Sequence, residues 1–210
     1  MVSVAVIGAS GKTGSSVVNE LLSRGHSVIT IVRDANKAPK GANVTVRVSA
    51  DVEHDDLAPL IAGADVVVHA YAPPLEDPDR LVGFTDRVVD AVKANGNTQR
   101  LLMVGGAGGL SVPGSLLIDA PFFPKEYVPI AKSHIEALEH LRKSGTNWTT
   151  LSPAAYFFVG ERKGKFRLAI EDLVMDGAGN SAISTDDYAI ALVDEIEKPV
   201  HVRQRFTIGY

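Results

Sequence analysis

The sequence predicts an α/β fold, a doubly wound parallel sheet flanked by helices. Three observations predict it. Short β-branched runs alternate with segments of helical period. The central runs are almost continuously apolar, as strands buried on both faces should be. Glycine-containing stops close the helical segments, at Gly25, Gly63, Asn95-Gly96 and Ser144-Gly145. Such alternation builds right-handed βαβ units.

Taken in order, residues 2–7 read as a strand ending at Gly8, not as a cleavable leader. Residues 12–24 place Val17, Val18, Leu21 and Leu22 on one helical face. Residues 27–32 and 44–48 are the second and third strands, and 55–62 a short helix. Residues 65–70 (DVVVHA) are the fourth strand, 81–94 a helix and 100–104 the fifth strand. Residues 130–143 are a helix, and 147–151 the sixth strand. Toward the end, 173–176 and 181–183 flank Gly177-Ala178-Gly179-Asn180 and predict a hairpin. Ser184-Thr185-Asp186-Asp187 caps a helix to about Glu197, and 203–208 is a final strand. Residues 1–210 are expected to form one domain, with a cofactor-binding core over 1–151 and a small C-terminal substrate-side region over 152–210.

Composition narrows the function. The chain of 210 residues is 45% hydrophobic and 22% charged, which argues against wholesale disorder. A net charge of −4 offers no basic stripe, so no nucleic-acid partner is expected. The absence of cysteine removes disulfides, thiolate nucleophiles and cysteine-ligated metals. No apolar run reaches about 18 residues, so no membrane span is expected. The expected state is a cytoplasmic monomer or homodimer, with no metal.

Residues 6–14 read VIGASGKTG. Gly8, Gly11 and Gly14 follow a strand and open a helix, the arrangement of a Rossmann-type dinucleotide site. Missing Cβ atoms let the backbone approach a pyrophosphate, which the helix N-terminus then holds. A phosphate loop of the GxxxxGK[ST] type is excluded, because Val6 stands where its first glycine belongs. Gly8, Ser10, Gly11, Lys12, Thr13 and Gly14 are therefore the candidate diphosphate cradle. The second strand ends in Val32-Arg33-Asp34. Arg33, with Lys37 nearby, favours the 2′-phosphate of NADPH over NADH. Asp34 either caps a turn or holds an NAD ribose. Asp51 either meets the adenine edge or caps a helix. In an open α/β sheet ligands lie beyond the carboxyl ends of the strands. Ala70, Tyr71, Ala72, Gly105, Gly106, Pro153 and Ala154 are accordingly the residues expected around ribose and nicotinamide.

The catalytic apparatus is less plain. Alcohol-oxidising enzymes of this build pair tyrosine and lysine as Y-x-x-x-K, stacked on successive helical turns. Here Tyr127 and Lys132 are five apart, with Pro129 between them, and Gly105-Gly106-Ala107-Gly108-Gly109 stands where a serine is expected, so the hydroxyl triad is absent or rebuilt from Tyr127, Lys132 or Ser111. Reducing a carbonyl needs a positioned acid, whereas a reduced flavin or quinone spreads its charge over a ring and takes its proton from solvent. His134 is either a satisfied helix-face histidine or a proton donor at the nicotinamide rim. Tyr156 and Phe157-Phe158 either join the core or lid, or an aromatic pair among them stacks on a flat acceptor.

GASGKTG, VRDANK, VGGAGGL followed by Pro113-Gly114, Glu126-Tyr127, and WTTLSPAAYF with Gly160-Glu161-Arg162 carry a resemblance. They resemble the NADH-flavin reductase group of atypical short-chain dehydrogenase/reductases, related to biliverdin reductase B and NmrA-like sensors. The resemblance extends over essentially the whole chain, including DDYAIALVDEIE and RQRFTIGY. It implies the Rossmann-type fold, NAD(P) binding and flavin reduction. It also implies that His134 lies near substrate. Gly106 and Ala155 depart from the serine and second histidine of biliverdin reductase B. The expected function is an NAD(P)H-dependent oxidoreductase reducing flavin, quinone or another planar acceptor, with NADPH as coenzyme and FMN or FAD as candidate substrates. His134, Tyr127 and Lys132 are its catalytic candidates. The alternatives are a non-catalytic NADP(H) sensor and a carbonyl reductase or epimerase.

Overall fold

A computed structural model describes all residues, 1–210. The chain runs β1 (Ser3–Ile7), α1 (Lys12–Ser23), β2 (Ser27–Val32), β3 (Val44–Val48), α2 (Leu57–Ile61), β4 (Val66–His69), α3 (Arg80–Ala94) and β5 (Arg100–Val104). A two-stranded ribbon follows, β6 (Ser111–Val112) and β7 (Ser115–Leu116), then α4 (Val128–Lys143) and β8 (Asn147–Ser152). The remainder is β9 (Tyr156–Phe158), β10 (Arg167–Ala169), β11 (Ala182–Ser184), α5 (Thr185–Glu197) and β12 (Gln204–Gly209).

Eight strands form the main sheet in the order β10-β12-β8-β5-β4-β1-β2-β3. All neighbours are parallel except the edge pair β10–β12. The fold is thus the Rossmann-type α/β sandwich that strand–helix alternation predicts. Alternating side chains divide the core into two layers. Val4 and Val6 of β1 face α1 and α5, packing with Val17, Leu21, Tyr188 and Leu192. Ala5 and Ile7 face α2, α3 and α4, packing with Ile61, Phe84, Val88 and Leu141.

Two sequence expectations need correction. The helix expected from residue 130 begins at Val128, with φ −57° and ψ −44°. Pro129 sits in its first turn, where a missing N–H loses no intrahelical bond. The hairpin around 177–180 does not form. The turn itself closes, since Asp176 N–H donates to Asn180 O at 2.8 Å and the Asp176 carboxylate accepts from Ala178 and Asn180 N–H. Its flanks then diverge. Glu171 and Leu173 bond the backbone of Ser111, while β11 pairs in parallel with β9.

Helix α5 starts as expected. The Ser184 hydroxyl accepts from Asp187 N–H at 3.1 Å, and Asp186 and Asp187 complement the helix dipole. The Asp187 carboxylate is fully buried. It accepts from Lys163 N–H, Gly164 N–H (2.8 Å) and the Tyr210 hydroxyl (2.7 Å), which ties the 159–166 segment to the sheet.

At the amino end of the sheet, Arg100 is buried against α5. It donates to Glu195 O at 2.6 Å, to the Thr149 hydroxyl at 2.7 Å and to the Glu195 carboxylate. Glu195 also pairs with His201 Nδ1 at 2.8 Å. Burial opposes its charge, but the His201 backbone N–H and Arg100 hold its pKa below the usual carboxylate value. Removing one partner of a buried pair strands the other's charge. Arg100→Met is therefore expected to cost about 3 kcal/mol or more in urea unfolding at neutral pH.

Candidate functional site

The carboxyl ends of β1, β2, β3 and β4 border a cleft of about 510 Å³. The glycine-rich turn forms one wall. Gly8 has φ +82°, a left-handed conformation that glycine adopts freely. A Cβ there would come within 2.5 Å of Ala70 O, and one at Gly14 would overlap the Gly8 carbonyl oxygen. The turn can be this tight only without those atoms. Gly11 N–H donates to Gly8 O at 2.9 Å, and the first helical bond is Ser15 N–H to Gly11 O. No side chain caps α1. The N–H groups of Lys12, Thr13 and Gly14 are left without protein partners. Free donors and a helix dipole at one point suit a diphosphate.

Arg33 lies on the cleft at the end of β2, exposed and without an ion pair to the protein. Asp34 is engaged in its own turn, accepting from Asn36 N–H at 2.9 Å and Asn36 Nδ2 at 3.1 Å. Lys37 is exposed on the following 3-10 turn and does not line the cleft. Asp51 lines the cleft while its carboxylate holds His54 Nδ1 at 2.8 Å. Ala70, Tyr71 and Ala72 form the wall after β4.

One residue of that wall escaped the sequence reading. Glu53 accepts from the Tyr71 hydroxyl at 2.7 Å and from Arg80 at 3.1 Å. Arg87 binds the backbone oxygens of Glu53 and Asp55. The Tyr71 ring packs on Phe84 at 4.3 Å. Burial and the Glu53 carboxylate push the Tyr71 pKa up, so the phenol stays protonated. No local motif signals Glu53, because its partners lie 18 and 27 residues away.

The second half of the candidate site is the loop after β5. Gly105 N–H donates to Leu151 O at 2.8 Å. Pro153 and Ala154 are buried at the end of β8. A Cβ at Gly106 would lie 2.8 Å from the His134 ring, so the imidazole occupies the space of the missing side chain. His134 Nδ1 is sealed from solvent without a hydrogen-bond partner, and burial lowers the His134 pKa to about 4. Behind it, His69 is wholly buried. Burial, then the neighbouring His134, lowers its pKa to about 3. The Thr85 hydroxyl donates to Leu81 O, so it accepts from His69 Nε2–H at 3.1 Å, and Nδ1 accepts from Tyr71 N–H at 3.4 Å. Both imidazoles are neutral at neutral pH.

Tyr127 and Lys132 are not brought together. Tyr127 is half-exposed just before α4, Lys132 is exposed on its surface, and no hydrogen bond links them. Residues five apart on a helix point about 140° from each other. Lys12 borders a second, polar recess with Ser15, Ser16, Gly160, Glu161 and Asp186. Tyr156 is exposed, while Phe157 lies on the opposite face of β9 against Tyr188. Phe157 is thus directed to the core, because consecutive strand residues face opposite ways.

The sequence pattern of a family described as NAD(P)H-binding matches residues 8–199. The uncharacterized protein YwnB of Bacillus subtilis (strain 168) is 37% identical over 98% of this chain and 97% of its own length. A crystal structure of a "putative NADH-flavin reductase" from Streptococcus pneumoniae TIGR4 superposes with a TM-score of 0.89 at 33% identity, covering 100% of this chain and 99% of that one. A "putative epimerase" from Bacteroides thetaiotaomicron gives 0.91 at 39% identity, with 100% and 98% covered. No helix of this chain is long and apolar enough to cross a membrane.

His69 and His134, both with lowered pKa values, make stability depend on pH. In the unfolded chain each titrates near 6.5; in the fold each titrates lower. The unfolded state therefore binds more protons between those values, and stability falls as pH drops below about 6.5. The His69 contribution is expected to lose about 2 kcal/mol between pH 7 and pH 5. Urea unfolding should show that slope, reduced in His69→Asn.

Proposed function

The chain belongs to the NAD(P)H-binding family, and on that footing we propose that it is an NADPH-dependent reductase of a planar, conjugated acceptor. Lys12, Thr13 and Gly14 hold the diphosphate through backbone N–H groups, with Gly8 and Gly11 permitting its approach. Arg33, free of protein partners, takes the 2′-phosphate, and Asp34 is occupied elsewhere. Glu53 and Arg80 fix the Tyr71 wall of the cleft. When bound, the coenzyme supplies a hydride.

One observation carries the choice of acceptor. The loop expected to face the nicotinamide presents Gly106, a neutral His134 of α4 lies against it, and Tyr127 stands apart from Lys132. An imidazole with a pKa near 4 is a weak proton source at neutral pH, because almost none of it is protonated. Carbonyl reduction and epimerisation both need a positioned acid or base. A flavin or quinone ring disperses the charge it receives and takes its proton from water. The site therefore matches flat acceptors better than sugars or simple ketones. His134 then packs and shapes the pocket.

Stopped-flow oxidation of NADPH with FMN and a panel of quinones tests this reading. Saturable turnover above the uncatalysed rate is expected, with Tyr127→Phe within about twofold of wild type. Turnover that never exceeds the uncatalysed rate, or that collapses in Tyr127→Phe, contradicts it.

A further inference from the structure

The strand after the sixth core strand carries an aromatic stack that lies outside the cleft of about 510 Å³. Tyr156 and Phe158 share one face of β9, two residues apart. Their rings stack at 5.2 Å between centroids and 19° between planes. Phe158 rests in turn on Gly160, where a Cβ would overlap the ring edge. Gly160, Phe158 and Tyr156 thus form successive layers, and the outermost ring is 66% exposed.

The stack has a firm base. β9 pairs with β11 from Tyr156–Ala182 to Phe158–Ser184. Tyr156 N–H donates to Ser181 O at 2.9 Å, and Ala155 N–H to the Ser181 hydroxyl at 3.1 Å. On the inner side Phe157 anchors the strand against Tyr188 at 4.9 Å. Its location is equally specific. β9 begins two residues beyond Ala154, at the carboxyl end of β8, where open α/β sheets place their ligands. Gly160, at the base of the stack, also lines the recess that contains Gly11 and Lys12 of the glycine-rich turn.

We propose that Tyr156 is the docking residue for the electron acceptor, receiving an isoalloxazine or quinone ring on its outer face by offset stacking. The proposal rests on the reductase reading and names the side chain that selects flat substrates. A tyrosine already held by Phe158 loses little rotamer freedom on binding, so the contact area converts efficiently into affinity. Phe158 supports Tyr156 and does not itself meet the acceptor.

The test separates docking from turnover. FMN and a 1,4-naphthoquinone are titrated into NADP⁺-loaded protein, where no hydride can transfer, with FMN fluorescence and quinone absorbance reporting affinity. Steady-state kinetics with NADPH follow. Tyr156→Ala is expected to weaken both ligands about 5- to 10-fold and to raise acceptor KM by the same factor. NADPH KM and kcat stay within twofold. Tyr156→Phe keeps wild-type affinity, since the hydroxyl is not used. Unchanged acceptor affinity in Tyr156→Ala overturns the docking role even if turnover persists. Absence of any ligand titration with wild type overturns it as well. Ligand binding without NADPH oxidation would instead remove the reductase reading and leave the docking site in place. Sedimentation of wild type and Tyr156→Ala supplies the remaining outcome. If the substitution converts a dimer to a monomer, this face joins two copies and the proposal fails.

Discussion

The close approach of helix α1 to the turn after β1 is the constraint on which the rest of the structure depends. The Gly8 carbonyl lies where a Cβ on Gly14 would be, and Ala70 O lies where a Cβ on Gly8 would be. The turn therefore exists only with glycine at both positions. It leaves the start of α1 uncapped, with three N–H groups free of protein partners. Unpaired backbone donors are costly when buried and useful when an anion can reach them. The cleft walls then follow from the parallel sheet, which brings the ends of β2, β3 and β4 beside that turn.

Stability and binding are assigned to opposite ends of the sheet. At the amino end, Arg100, Glu195 and His201 knit β5 to α5 and the segment after it. At the carboxyl end, backbone and small residues predominate, and the imidazoles of His69 and His134 are kept neutral by burial. On the proposed reading, such an arrangement would hold a charged coenzyme through fixed dipoles and Arg33, with no strong acid beside the reacting ring. Relatives carrying reductase and epimerase names share this backbone closely. The distinction between those chemistries therefore lies in side chains, and the fold is silent on it.

Much of this was legible in the sequence because the signals are local. Apolar period, glycine stops and the Ser184 cap each involve residues within one or two turns, and the main strands stand where periodicity places them. The glycine motif is legible for the same reason. Contacts between distant segments were not. The 173–183 segment carries good turn chemistry, yet its flanks find better partners in Ser111 and β9 than in each other. Glu53 reaches Tyr71 and Arg80 across the cleft from a loop with no motif of its own. The collision between a side chain at 106 and the His134 ring joins positions 28 apart. Phe157 and Phe158 are indistinguishable by composition, and only the parity of β9 decides which of them stands beside Tyr156.

The central claim is that the first βα turn is an anion cradle sized for a dinucleotide diphosphate, with Arg33 reading the adjacent phosphate. Calorimetric titration with NADPH and NADH, on wild type and Arg33→Ala, tests it most directly. The account predicts that wild type binds NADPH at least about tenfold more tightly than NADH, and that Arg33→Ala removes most of that difference while sparing NADH. Absence of measurable binding of either coenzyme at millimolar concentration would contradict it.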